Sequence, residues 1–302
     1  MPIHITWHPS SLEHDPGPDH PESRYRIEAV LEALRAWPPP DQLIWHEAEP
    51  ATDEAVRRVH SAAYLDMLAA VDERGGGRLD EDTVMSARSL DAAKHTAGAA
   101  MLATQLAMTD GAALAATRPP GHHALADRAM GFCLLNNAVV AAHAALEAMG
   151  AERVLIVDWD VHHGNGTQAL VEDDARVRYV SLHQWPLYPG TGLAEERGVG
   201  NVFNVPRPPG LPPAAYVRDL NEAVEQATDG WQPDLLIISA GFDAMANDPL
   251  AGFTLEPEHY AEWTSKWRGI GAPVVSLLEG GYIPRRLAEG VLAHLTALND
   301  AA

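Results

Sequence analysis

Cysteine is nearly absent: Cys133 is the only one in 302 residues, which excludes a disulfide framework and fits a reducing compartment. Positive charge is scarce. Lys and Arg total 21 against 42 Asp and Glu, a formal net charge of −21. Phosphate binding wants clustered basic residues, so no direct nucleic-acid partner is expected, and no basic membrane patch. Long apolar runs are missing. The Ala-rich stretch 97–108 is broken by Thr104 and Gln105, and nothing reaches the ~20 apolar residues of a spanning helix. The opening MPIHITWHPS has neither a basic nor an apolar signal region, so a cytoplasmic protein without a membrane partner is expected. No internal repeat or long linker divides the chain, and one domain over 1–302 is expected.

What is present alternates in type. Short β-rich runs predict strands at 3–7, 43–47, 112–116, 153–158, 177–183, 201–205, 235–240 and 274–278. Helical patterns are predicted at 21–36, 86–108, 136–149, 213–228, 257–269 and 284–298. VLIV (154–157) and LLII (235–238) are continuous apolar runs, as in parallel strands buried on both faces. The predicted class is α/β, with helices covering both faces of a parallel sheet. PPP (38–40), GGG (75–77) and RPPGLPP (207–213) read as loops. In such a sheet the chemistry belongs at the carboxyl ends of the strands.

Four strand ends carry unusual residues. VLIVDWDVHHGNGTQ (154–168) runs from an apolar strand into Asp158, Asp160 and His162, which a period of two places on one side. Two carboxylates and an imidazole there are costly to bury without a cation. SAGFDAMANDP (239–249) sends Asp243 off another buried strand. Alone it reads as a turn residue. With Asp160 and His162 it completes three ligands, the number a catalytic zinc site uses, although Fe²⁺ or Mn²⁺ would also suit them. ATRPPGHHALADRAMGFCLLNN (116–137) holds His122 and His123 on a Pro- and Gly-stiffened loop; the pair is either structural or poised for proton transfer. VVSLLEGGYIP (274–284) presents Tyr282 after two glycines, as a packed core residue or as a donor to an oxyanion.

Taken in order, RPPGHHA, GFC, DWDVHHGNGTQ, SAGFD…NDPL and EGGY resemble the zinc-dependent histone deacetylase and acetylpolyamine amidohydrolase superfamily. The likeness runs from HDPGPDHPESR (14–24) to EGGY (279–282), and HHGNGTQ and LEGGY look most like the class II branch and its bacterial relatives. The resemblance implies an arginase-type fold with a central eight-stranded parallel sheet. It implies one zinc per chain on Asp160, His162 and Asp243, His123 as general base, His122 as its electrostatic partner, and Tyr282 as oxyanion donor. It implies Asp158 behind His122 and, behind His123, Asn165, where part of the family has Asp. Gly131, Phe132 and Tyr188 match the acyl-channel walls. A structural potassium ion is implied at Asp158, Asp160, His162, Ser181 and Leu182, and a second around 171–177. The implied reaction is hydrolysis of the amide of an N-acetyl-lysine side chain.

Rival readings separate on particular residues. Arginase-type relatives with two Mn²⁺ ions want Asp at positions occupied here by Gly164 and Met245. One polyamine-selective relative uses Glu where this chain has Leu250, so acetyl-lysine in protein is favoured over a small acetylated amine. Asp80, Glu81 and Asp82 leave a role in binding a second ammonium, or a peptide backbone, open. A non-catalytic acyl-lysine binder is disfavoured because every reactive position is filled. Cys133 reads as a small packed residue. Gly190 and Gly192 in YPGTG lack the spacing of a phosphate-binding loop. A homo-oligomer is left open.

Overall fold

A computed structural model describes residues 3–37 and 42–300; the PPP segment 38–40 lies outside the described residues. Eight strands form one parallel sheet: β1 (Ile3–Trp7), β2 (Leu43–Glu47), β5 (Ala112–Ala115), β6 (Val154–Asp158), β7 (Val177–Gln184), β8 (Val202–Arg207), β9 (Leu235–Ala240) and β10 (Val274–Leu278). Their order is β2-β1-β5-β10-β9-β6-β7-β8, and each pairing is parallel. This is the α/β architecture with the central eight-stranded sheet that the sequence implies.

The apolar runs explain the layers. Every residue of β6 and β9 is buried. Alternate residues enter opposite cores: Leu155, Val157 and Trp159 on one side of the sheet, Val154 and Ile156 on the other. The first core is covered by α1 (Arg24–Arg35), α7 (Pro213–Thr228), α8 (Pro257–Trp267) and α9 (Pro284–Asn299). The second is covered by α2 (Asp53–Arg57), α3 (Ala62–Glu73), α4 (Ser89–Asp110) and α5 (Asn137–Ala148), with α6 (Asn165–Val171) at its edge.

Some boundaries differ from the predicted ones for local reasons. Helix α4 starts at Ser89 because residues 84–86 form β4 (Val84–Ser86), paired antiparallel with β3 (Gly76–Arg78). GGG (75–77) therefore enters a hairpin whose turn holds Asp80, Glu81 and Asp82. Helix α1 starts at Arg24 because Glu22 is drawn into ion pairs with Arg26 and Arg118. The short α2 and α6 and the 12-residue α3 lie outside the predicted helices; Thr52 and Ser61 side chains cap α2 and α3. No helix among the described residues is long and apolar enough to cross a membrane.

The sheet order places β5, β10, β9 and β6 side by side at its centre. Asp158 pairs with Ser239, Ala240 with Leu278, and Leu277 with Ala115. These strands therefore end at nearly one level, and their four following loops share one rim.

Candidate active site

At that rim Asp160, His162 and Asp243 converge. One ligand atom of each lies within 4.8 Å of the others, and all three residues are buried. His162 Nδ1 stands 3.1 Å from Asp160 Oδ1 and 3.1 Å from Asp243 Oδ2. Backbone donors orient the acids: Gly280 N–H reaches Asp160 Oδ2 at 2.8 Å, and Val161 N–H reaches Asp243 Oδ1 at 2.9 Å. Trp159 turns the opposite way, stacking on Trp263 and Trp267, so its acidic neighbours share a side. A Cβ at Gly280 would overlap the Asp243 carboxylate.

The cluster is built for positive charge. Burial opposes charge on His162, yet Asp160 and Asp243 raise its pKa to about 10. Burial and the adjacent Asp160 raise Asp243 to about 7. Two carboxylates and one imidazole, buried and mutually close, form a donor set that suits zinc.

His122 and His123 leave the β5 end together, with ring centroids 4.0 Å apart. His122 Nδ1 lies 3.0 Å from Asp158 Oδ2, which also accepts the Tyr179 hydroxyl at 3.0 Å. Burial opposes charge on His122, but Asp160 and Asp158 hold its pKa well above the usual value. His123 goes the other way: burial, then His122 and His162, push it well below. Its Nδ1–H donates to Asn165 Oδ1 at 2.8 Å, while the Asn165 amide nitrogen faces Met130 Sδ. An amide oxygen only accepts, so the proton sits on Nδ1 and Nε2 carries the free lone pair.

A cleft of about 200 Å³ opens above these groups, lined by His123, His162, Tyr282, Phe132, Tyr188 and Leu250, together with Gly131, Leu187 and Asp82. Gly131 and Phe132 both have left-handed backbones, φ +55° and +68°. A Cβ on Gly131 would overlap the His123 ring, so the turn needs glycine there. The unusual Phe132 conformation is held by its N–H on Thr83 Oγ1 at 3.0 Å, and it aims the ring into the cleft. Burial keeps the Tyr282 phenol protonated, its pKa well above the usual value.

Asp158, Asp160, His162, Asp243, His122, His123 and Asn165 come together at this rim, with Gly131, Phe132, Tyr188, Leu250 and Tyr282 around the cleft, whereas 171–177 lies at the other end of β7. Ser181 is the register partner of Asp158, and Leu182 follows it on β7. The carbonyls of Val171, Asp174 and Val177 lie 2.8, 3.1 and 2.8 Å from Asn201 Nδ2. Of the acidic trio at 80–82, Asp82 reaches the cleft. Cys133 is buried, as read.

Sequence reasoning missed the supports. Buried Glu279 accepts N–H groups from Gly121 at 2.7 Å and His122 at 3.2 Å. Glu22 pairs with both Arg118 and Arg26, and Arg26 donates to the carbonyls of Gly281 and Glu279. The i,i+4 spacing of Glu22 and Arg26 inside HPESRYR was the available signal; Glu279 and Leu187 offered none.

Comparison with known proteins gives the family and the fold. The histone deacetylase domain model matches residues 20–298. The chain is 38% identical to the histone deacetylase-like amidohydrolase of Pseudomonas aeruginosa, over 87% of this chain and 72% of that one. It is 37% identical to a probable deacetylase of Methanothermobacter thermautotrophicus, over 93% and 86%. The crystal structure of the HDA15 HD domain superposes with a TM-score of 0.94 at 34% identity, covering 99% of this chain and 91% of that one. The chain belongs to the histone deacetylase domain family.

Proposed function

We propose that this chain, acting as a single domain, is a zinc-dependent deacylase that hydrolyses the amide of N-acetyl-lysine side chains. The observation that carries the reading is that His123, the Tyr282 phenol and His162 line one largely apolar cleft, with Asp160 and Asp243 grouped behind His162 as a trio able to hold a metal ion. Asp160, His162 and Asp243 would hold one zinc ion, which supplies Lewis acidity for amide hydrolysis when bound.

The chain's own residues divide the remaining work. The walls of Phe132, Tyr188, Leu187 and Leu250 accept an extended aliphatic stem and exclude water. His123 takes a proton from the attacking water at Nε2 and later delivers it to the departing amine. His122, charged through its pairing with Asp158, steadies negative charge nearby. The Tyr282 hydroxyl donates to the oxygen that becomes anionic as the carbonyl is attacked. Products are acetate and the free amine.

A potassium ion at Asp158, Asp160, His162, Ser181 and Leu182 is part of the same reading, supported by the alignment of Ser181 beside Asp158 and by the need to offset clustered carboxylates. A second reading, acetylpolyamine hydrolysis, is favoured by one observation: Asp82 lines the cleft and could receive a distal ammonium. Leu250 opposes it. Turnover of an acetyl-lysine peptide, N-acetylputrescine and acetylspermidine separates the two. Faster hydrolysis of the polyamines would overturn the preference for lysine.

A further inference from the structure

The loop after β9 carries a buried carboxylate that the chemistry above does not use. Asp248 follows Asn247, whose φ of +73° turns the chain tightly, and both its oxygens are engaged. Oδ1 accepts Leu250 N–H at 3.0 Å, and Oδ2 accepts Tyr282 N–H at 2.8 Å. The acid therefore joins the loop bearing Asp243 to the loop bearing the phenol.

That second contact matters because of what surrounds Tyr282. The residue precedes α9 and follows Gly280 and Gly281, the latter with φ +119°. Glycine leaves such backbone freely adjustable. Arg26 holds the upstream carbonyls of Glu279 and Gly281 and lies over the Tyr282 ring, 5.0 Å from its centroid, but makes no contact with the peptide nitrogen of Tyr282. The contact made to Tyr282's own peptide nitrogen is the one from Asp248.

We infer that Asp248 is a positioning residue for Tyr282, fixing the phenol over the reacting carbonyl while its other oxygen shapes the channel wall at Leu250. The inference rests on the deacylase reading. A phenol that donates only as charge develops contributes to kcat, and a small displacement of such a donor is costly. Asp248→Asn is a selective probe. An Asn oxygen keeps the local contact to a residue two positions on, so the amide nitrogen is turned toward Tyr282 N–H, donor against donor.

The test is a double-mutant cycle on the zinc-loaded protein with an acetyl-lysine peptide. Tyr282→Phe should lower kcat by roughly 10²–10³-fold, the usual effect of losing an oxyanion donor. Asp248→Asn should lower kcat about 10-fold or more with KM within about 3-fold. In the Tyr282→Phe background it should add less than about 3-fold, because the group it positions is gone. An undiminished effect in that background, or wild-type kcat in the single variant, overturns the inference. Should the variant not fold, amide hydrogen exchange on the wild-type protein decides: Tyr282 N–H should be strongly protected, and fast exchange overturns the tether. A wild-type protein that releases no acetate overturns the deacylase reading instead, and the exchange experiment still reports on the tether.

Discussion

Asn165→Asp tests the electrostatics of the proposed base. Asn165 Oδ1 takes the His123 Nδ1–H at 2.8 Å, and a carboxylate there would place a negative charge about 4 Å from the ring centre. At an effective dielectric of about 20, that separation corresponds to roughly 4 kcal/mol. Position 165 is only partly buried, so solvent screening reduces the useful part to about 1–2 kcal/mol, or about one pH unit. The sign follows from the role. His123 must be unprotonated to accept a proton, and a nearby carboxylate favours the protonated form. The acidic limb of kcat/KM, which reports the base in the free enzyme, should therefore move up by about one unit. The assay is acetate release from an acetyl-lysine peptide across the acidic range, at fixed zinc. A limb that stays in place, or moves down, would refute the assignment of His123 as base.

Two further outcomes follow from other parts of the molecule. His60 donates from Nδ1 to the Leu125 carbonyl at 2.8 Å and accepts the Asn136 N–H at Nε2 at 2.9 Å; burial lowers its pKa from 6.5 to about 4. The unfolded chain then binds the extra proton, so this stability is present above about pH 6.5 and lost as pH falls toward 4. Urea unfolding of His60→Gln should show a fall in stability between about pH 7 and 5 that is smaller than wild type's by about 2 kcal/mol; equal falls contradict it. Leu250→Glu should raise kcat/KM for acetylspermidine relative to an acetyl-lysine peptide by about 10-fold, the scale of a partly solvated charge pair; an unchanged ratio would mean that the rim at Leu250 does not select substrate.

The fold was legible because its central strands are buried on both faces. VLIV and LLII leave little alternative to a parallel sheet, and all eight predicted strands are present, with ends shifted by a residue or two. The candidate site was legible because several charged residues follow such buried runs, where they are costly to bury without a partner. What escaped notice acts through the backbone. Glu279 and Asp248 hold peptide N–H groups of distant loops, contacts that depend on neighbouring strands ending level and leave no spacing in the sequence. Helix α3 escaped for another reason. Its buried Tyr64, Leu68 and Val71 follow a helical period, but with Ala on several other faces the pattern is shallow. The hairpin at 76–86 is short, and its glycines read as loop until a partner strand is seen.

The most direct measurement combines metal content with acetate release on one preparation. The purified protein should carry about one zinc per chain, the complement of a three-ligand catalytic site, and should deacetylate an acetyl-lysine peptide. Exhaustive chelation should abolish turnover and zinc alone should restore it, while His162→Ala should neither retain the metal nor recover. Turnover that persists in demonstrably metal-free protein, or in His162→Ala at the wild-type rate, would contradict the account.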